Sequence, residues 1–341
     1  MKVSLGARDI GRLLNGVLTV IKQKDTSVAS LKRTLARTIC EEGNSLGDLF
    51  VPLIKVPIVE PHPNSQALVV VGYRDQPDYS QHPLVAGFPL NERDVRIEEL
   101  HYQSPASSGL CVLGINDGCD ELDELRKKNW INCFQINSSL GQKRHDVTSL
   151  QGKIVASASY EHVTRHRLEK VFTRLKAQFK RASFELMHCD LQSEEAFEAA
   201  RTGAVRPAVP DAPIVYEVVV KYFNAPVLGL EVQCTGASEA FLTSFIHEIG
   251  RNVDTYAAAK RIYCNRIGPL LAENALLQKN FNLRSILGNL MQNRKIIGGH
   301  QQGELIKSTT ATLLPEKRKE EMGEESEECV KMSWARHYTP V

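Results

Sequence analysis

Ser104-Pro-Ala-Ser-Ser-Gly-Leu-Cys-Val-Leu-Gly114 is the stretch on which the reading of this chain turns. Its second half, with Ile115, makes the apolar run LCVLGI, which predicts a short buried strand. Its first half is small and polar, with serines at 104, 107 and 108. Ahead of it lies RDQPDYSQHPLVAGFPLNERD (74–94), an irregular loop of the length that either carries binding function or forms a mobile insertion. Asp94, Glu98 and Glu99 precede the central stretch and read as exposed loop carboxylates.

Working outward, strands and helices are mixed. GVLTVI (Gly16 to Ile21) reads as a strand. DTSVASLKRTLARTIC (Asp25 to Cys40) reads as a helix capped at Asp25 or Thr26, with Val28, Leu31, Leu35 and Ile39 at helical spacing. VPLIKVPIV and ALVVVGY are strands joined by the turn EPHPNSQ. Beyond the central stretch come the helix CDELDELRKK and the strand NWINCFQIN. An amphipathic helix begins at Glu161, with the apolar stripe Leu168, Val171, Phe172, Leu175 and Phe179. Then follow the helix SEEAFEAARTGAVRP ended by Gly203, the strands APIVYEVVVKYF and VLGLEVQC about the turn NAP, and the helix SEAFLTSFIHEIG stopped by Gly250. The acidic, aperiodic tail 313–341 reads as disordered.

The 341 residues, 42% hydrophobic and 24% charged, can bury a sizeable core. The formal charge of +2 does not identify a nucleic-acid binder, because phosphate contact depends on where the charge sits. The densest cationic run is in the helix after Glu161, where Arg165, Arg167, Lys170, Arg174, Lys176, Lys180 and Arg181 face a single Glu169. It reads equally as a solvated face or as a phosphate-contact surface. Eight scattered cysteines without a C-x-x-C pair argue against a structural zinc site and for a reducing compartment. No apolar run is long enough for a membrane span. Residues 1–15, with Lys2, Arg8 and Arg12 against Asp9, suit either a basic targeting segment or a first helix. His247 beside Glu248 reads as structural, and His101 as incidental.

Ser104 to Gly114 resembles the motif L-D-x-x-A-S-G-V-L-V-L-G of TruB-type pseudouridine synthases. The resemblance continues in order through SYEHVT (Ser159 to Thr164), FEAARTGAVRP, LEVQC, HEIG and RIYCNRIGPLLAENALL, spanning most of Gly16 to Leu277. HPLV and the pairing of LEVQC with HEIG are similar to the animal mitochondrial branch. The N-terminal element G-x-x-x-V-x-K-P-x-G survives only as Gly16, Val20 and Lys22, with Gln23 and Asp25 in place of its proline and last glycine.

The resemblance implies an α/β (α+β) pseudouridine synthase core over 16–312: a mixed, mainly antiparallel sheet flanked by helices, without the C-terminal PUA domain of bacterial relatives. It implies no cofactor or metal, a mitochondrial (matrix) location, a monomer, and RNA as partner: tRNA or mitochondrial mRNA or rRNA, with RNA-processing proteins. Three family positions are altered. Ser104 stands four residues before Ser108, where the nucleophilic aspartate belongs. Phe134, seven before Gly141, replaces a tyrosine, keeping a ring that can stack on a base but losing the hydroxyl. Thr243, seven before Gly250, replaces the arginine that pairs with the aspartate. A carboxyl is charged at neutral pH without help, whereas a hydroxyl needs a base, and the sequence offers none beside Ser104. Catalysis is therefore expected to be lost or reduced, with RNA held by Arg165, Arg174, Lys176, Lys180 and Arg181. The alternatives are an active isomerase using other groups, or a protein-interaction subunit that keeps the fold without RNA.

Overall fold

A computed structural model describes residues 7–46, 53–62, 67–81, 90–187, 192–202 and 212–299, with Val85, Asp190, Val205 and Pro207 as isolated positions. Gly203, residues 300–312 and the tail 313–341 lie outside the described residues.

The run LCVLGI becomes β5 (Ser108–Ile115), buried at every position. Such a strand needs cover on both faces, and its neighbours supply it. On one edge β1 (Gly16–Lys22) pairs with it antiparallel, Gly16 opposite Ile115. Its other edge is shared. β11 (Ala257–Ile267) pairs parallel with its first residues, Tyr263 with Ser108 and Cys264 with Gly109. β4 (Ile97–Glu99) pairs antiparallel with its last. Where β11 and β4 part, the segment 100–107 leaves the sheet. β6 (Asn132–Leu140), β10 (Val227–Thr235) and β9 (Ile214–Asn224) complete the antiparallel side in the order β1-β5-β11-β6-β10-β9, with the short β12 (Leu270–Leu271) on β11.

Alternation along these strands decides what each face meets. Ile136, Leu228, Leu230, Val232, Val218 and Val220 point to one face, where they pack with α4 (Arg165–Glu185) and α6 (Glu239–Asn252). From the other face Glu217, Gln233 and Arg266 hydrogen-bond in series, and Lys221 pairs with Glu231 at 2.7 Å. At the β1 end, α1 (Ala7–Leu13), α2 (Val28–Leu46) and α7 (Leu283–Gly299) bury Ile10, Leu31, Leu35, Ile39, Ile286 and Leu290 against Leu18, Val20 and Leu113. α3 (Gly118–Lys127) covers Val17, Leu110 and Val112 with Leu122 and Leu125. α5 (Glu194–Thr202) forms a small satellite with Phe184. The architecture is thus α/β with a mainly antiparallel sheet, as the sequence leads one to expect. Among the described residues no helix is long and apolar enough to cross a membrane.

Several local expectations are corrected. α2 starts at Val28, because Ser27 accepts the Ser30 amide at 3.1 Å, while Asp25 takes a left-handed turn and bonds to the Pro105 carbonyl at 2.7 Å. α4 begins at Arg165 and not at Glu161, since Thr164 is its cap, accepting the Arg167 amide at 3.3 Å. α6 runs past Gly250 to Asn252; that glycine is there for contact, because a Cβ would lie 2.5 Å from the Ala257 nitrogen. The two strands around EPHPNSQ form an antiparallel ribbon, β2 (Leu53–Pro61) and β3 (Leu68–Pro77), so the first residues of the anticipated loop belong to a strand. β7 (Gln142–Arg144) and β8 (Ile154–Ser157) form a second small ribbon.

Candidate active site

The segment 100–107 is anchored from below by a lysine with no exposed surface. Lys22, the last residue of β1, donates its ammonium to the carbonyls of Ser107 at 2.5 Å, Gln23 at 3.3 Å and Pro105 at 3.5 Å. Burial lowers its pKa, and the charges of Cys111, Glu239 and Asp25 pull it partly back. Gly109 fixes the same segment from the side. Its φ is +114°, and a Cβ there would overlap the Cys264 carbonyl oxygen and lie 2.5 Å from the Cys264 nitrogen, so only glycine admits the parallel contact of β5 with β11.

Ser104 emerges from this support facing a carboxylate. Its hydroxyl donates to Glu239 Oε1 at 2.6 Å and its amide to Glu239 Oε2 at 3.1 Å. Glu239 opens α6, directly after the cap Ser238, whose hydroxyl accepts the Phe241 amide at 3.2 Å. The carboxylate thus sits at a helix N-terminus and accepts two hydrogen bonds from Ser104. The expectation that no base stands beside Ser104 is therefore wrong. The three acids nearest in sequence are not involved: Glu99 pairs with Lys32, Glu98 with Arg96, and Asp94 with the Asn91 amide.

Ser104 and Glu239 line an open cavity of about 790 Å³. One wall is 100–106, with His101 and Tyr102; the second is the start of α6, 236–241; the third is the β7–β8 connection, 148–151. Arg126 of α3 closes the base, its guanidinium spent on Leu100 and Glu99 carbonyls and on Asp123. A second, smaller space, a slot of about 40 Å³, is also bordered by Glu239 and is lined by Phe134, Leu242, Ile262 and Cys264. Glu239 lines both spaces, as do His101, Tyr102 and Ala237. Phe134 floors the slot, which as it stands is too small for a nucleobase. Tyr102, 73% exposed at the rim, presents its ring to the open chamber.

Thr243 lies one turn beyond Glu239 and takes no part in this arrangement. It is buried, and its hydroxyl donates to its own helix, to Ala240 O at 2.9 Å and Glu239 O at 3.1 Å. It borders a separate narrow space with Arg144 and His247. His247 stacks on Tyr256 at 6.4 Å, and burial lowers its pKa, aided by Lys143 and Arg251.

The five basic positions of α4 do not form one patch. At 100° per residue Arg174 and Arg181 share one side, and Arg165, Lys176 and Lys180 fall roughly 100–180° from them. Arg165 is ion-paired with Glu169 at 2.9 Å, and Lys176 is half-buried. Lys176 and Lys180 flank Phe179, which meets the cavity-lining Phe241 edge-on at 6.2 Å. Arg174, Lys180 and Arg181 are exposed. Among the described residues no three His, Cys, Asp or Glu side chains are placed to hold a metal ion.

Sequence reasoning missed Glu239, Tyr102 and Arg126. Glu239 carries a faint signal, an acid directly after a serine cap at a helix start, but the same pattern is ordinary helix capping.

Four curated proteins are similar to the chain. It is 30% identical over 227 residues to the mitochondrial pseudouridylate synthase TRUB2 of Xenopus tropicalis, covering 67% of this chain and 69% of that protein. It is 28% identical over 210 residues to the Homo sapiens protein of the same name, covering 62% of each. The Rattus norvegicus protein is 27% identical over 237 residues. No family model matches. Among solved structures, a chain of the archaeal box H/ACA sRNP Nop10-Cbf5 complex superposes with a TM-score of 0.44 at 9% identity, over 84% of this chain and 58% of that one. A chain of an H/ACA RNP bound to a substrate RNA containing 2'-deoxyuridine gives 0.43 at 11% identity.

Proposed function

This chain belongs to the TruB-type pseudouridine synthase family, and we propose that it binds structured RNA with one nucleotide turned into the cavity beside Ser104. The observation that carries the reading is that open chamber, formed by the very segment that resembles the family's nucleophile motif. A base cannot be reached inside a helix, so proteins of this chemistry extrude it and hold it against aromatic and polar side chains. Tyr102 at the rim offers a ring face, and Phe134 offers a second if the slot widens around the base. Ser104 and Thr243 stand where the resemblance places the nucleophilic aspartate and its arginine, and this supports the reading that catalysis by that pair is lost or reduced. The RNA is read as mitochondrial tRNA, mRNA or rRNA, and the location as mitochondrial, following the names of the animal relatives.

Phosphate contact falls to the exposed cations of α4. Replacing Arg174, Lys180 and Arg181 together with alanine is expected to weaken RNA binding and to flatten the log–log salt dependence by about 0.7–0.9 for each phosphate that is no longer neutralised. Filter binding across a salt series checks this. An unchanged affinity and slope would remove these three cations from the RNA interface.

A further inference from the structure

The displaced carboxylate gives the cavity a reactive group that the motif itself lacks. Three features single it out. Glu239 is placed 135 residues from Ser104 in sequence, yet both of its oxygens are held by that residue, at 2.6 Å and 3.1 Å. It borders both the open chamber and the slot. Each oxygen, with one hydrogen bond, keeps a second lone pair for another partner. The family position on the loop is thus uncharged, but the space in front of it is not.

We propose that Glu239 is the catalytic carboxylate of this chain, engaging the ribose of the inserted uridine while Ser104 positions it; this rests on the RNA-binding reading above. The step balances without a co-reactant. A Glu239 oxygen forms a bond to C1′ as the C1′–N1 bond breaks, and that electron pair leaves on the uracil. The uracil turns, C5 bonds to C1′ and the carboxylate departs. The proton on C5 passes to water, and N1 takes one up from water. Product and substrate are isomers, so no oxidant or reductant enters. Ser104 shares no electrons in this scheme; its hydroxyl and amide orient the carboxylate.

The test uses the full chain and a pool of randomised hairpin RNAs carrying tritium at uridine C5. Binding is measured first, then tritium release from the bound RNA. Wild type is expected to bind and to release tritium. Glu239→Gln, which keeps an oxygen for the Ser104 amide, is expected to bind equally and to lose about 100-fold or more in rate. Ser104→Ala is expected to lose about 10-fold, because it loosens the carboxylate without removing it. Glu239→Asp, which retains the charge one methylene short, is the second variant should Glu239→Gln fail to fold, and reduced but measurable release is expected of it. Binding without release by wild type overturns the inference and leaves the RNA-binding reading standing; absence of binding overturns both. Release that survives Glu239→Gln but vanishes in Ser104→Ala would transfer the chemistry to the hydroxyl and overturn the assignment.

Discussion

The first and second turns of α6 each carry a polar side chain, and each satisfies it differently. In the first turn Glu239 reaches off the helix to Ser104, across a cavity wall, and is gripped there by two donors. In the second, Thr243 is 3% exposed and turns its hydroxyl onto its own backbone. A hydroxyl bonded to carbonyls three and four residues back satisfies itself locally and needs nothing from the rest of the fold. A carboxylate at a helix start cannot do so, and it finds its partners in a distant segment. α6 therefore carries a carboxylate one turn before the position where the family resemblance places an arginine, and that carboxylate meets the Ser104 segment.

This contrast depends most heavily on Gly109, because the whole Ser104 segment hangs from it. Gly109→Ala sets a Cβ against the Cys264 backbone at a φ of +114°, and is expected to destabilise the protein by about 3 kcal/mol or more, measured by urea unfolding. A loss of less than about 1 kcal/mol would mean that the β5–β11 contact yields easily and that the clamp on Glu239 is not rigid.

Lys22 probes the first turn from beneath. Lys22→Met strips carbonyls of Ser107, Pro105 and Gln23 of their ammonium donor, with an expected loss of about 2 kcal/mol. The pH dependence isolates the cation. Its folded pKa lies below the ordinary 10.5, so between the two values the unfolded chain binds more protons and stability rises with pH. The buried thiols act oppositely: Cys111 and Cys133 are raised by burial to about 12, so above 9.0 the folded chain binds more protons and stability falls. Both proteins share the thiols, so the deficit of Lys22→Met against wild type is expected to widen as pH climbs towards 10.5. Unfolding curves over that range check the sign, and a constant deficit would mean that Lys22 is not titrating in the fold.

The smallest effect is expected at Thr243. Thr243→Val keeps the shape and leaves no partner unpaired outside its helix, so a change within about 0.5 kcal/mol, and unaltered RNA binding, is anticipated. A clear fall in RNA affinity would show that the second turn serves the site after all.

Much of the fold is legible in the residues, and unevenly so. β5 is apolar at every interior position, β9 carries β-branched runs, β10 alternates Leu228, Leu230 and Val232 on one face, and α4 has its stripe at helical spacing; each pattern has one good interpretation. α7 escapes such a reading, because its buried face includes Asn289 and Asn293. Those two amides hydrogen-bond Thr19 and the Val17 carbonyl inside the core, and no periodicity count scores a polar residue as buried. The starts of α2 and α4 differ by a few residues from expectation where neighbouring polar residues compete to be the cap. The cationic helix is legible as a count of charges, but its division into two sides follows from the helical angle, and Lys176 is partly covered.

Residue identity and spacing along the chain were enough to establish the strand and helix pattern, the ordered resemblance to one RNA-modifying family, and the absence of charge at positions 104 and 243. That the site nevertheless holds a charge emerged only from the folded arrangement. The split edge of β5 sends the Ser104 segment out to the start of α6, and a contact between residues 135 positions apart leaves no trace in local periodicity. A carboxylate and a hydroxyl become a pair by sheet order, which spacing along the chain does not encode.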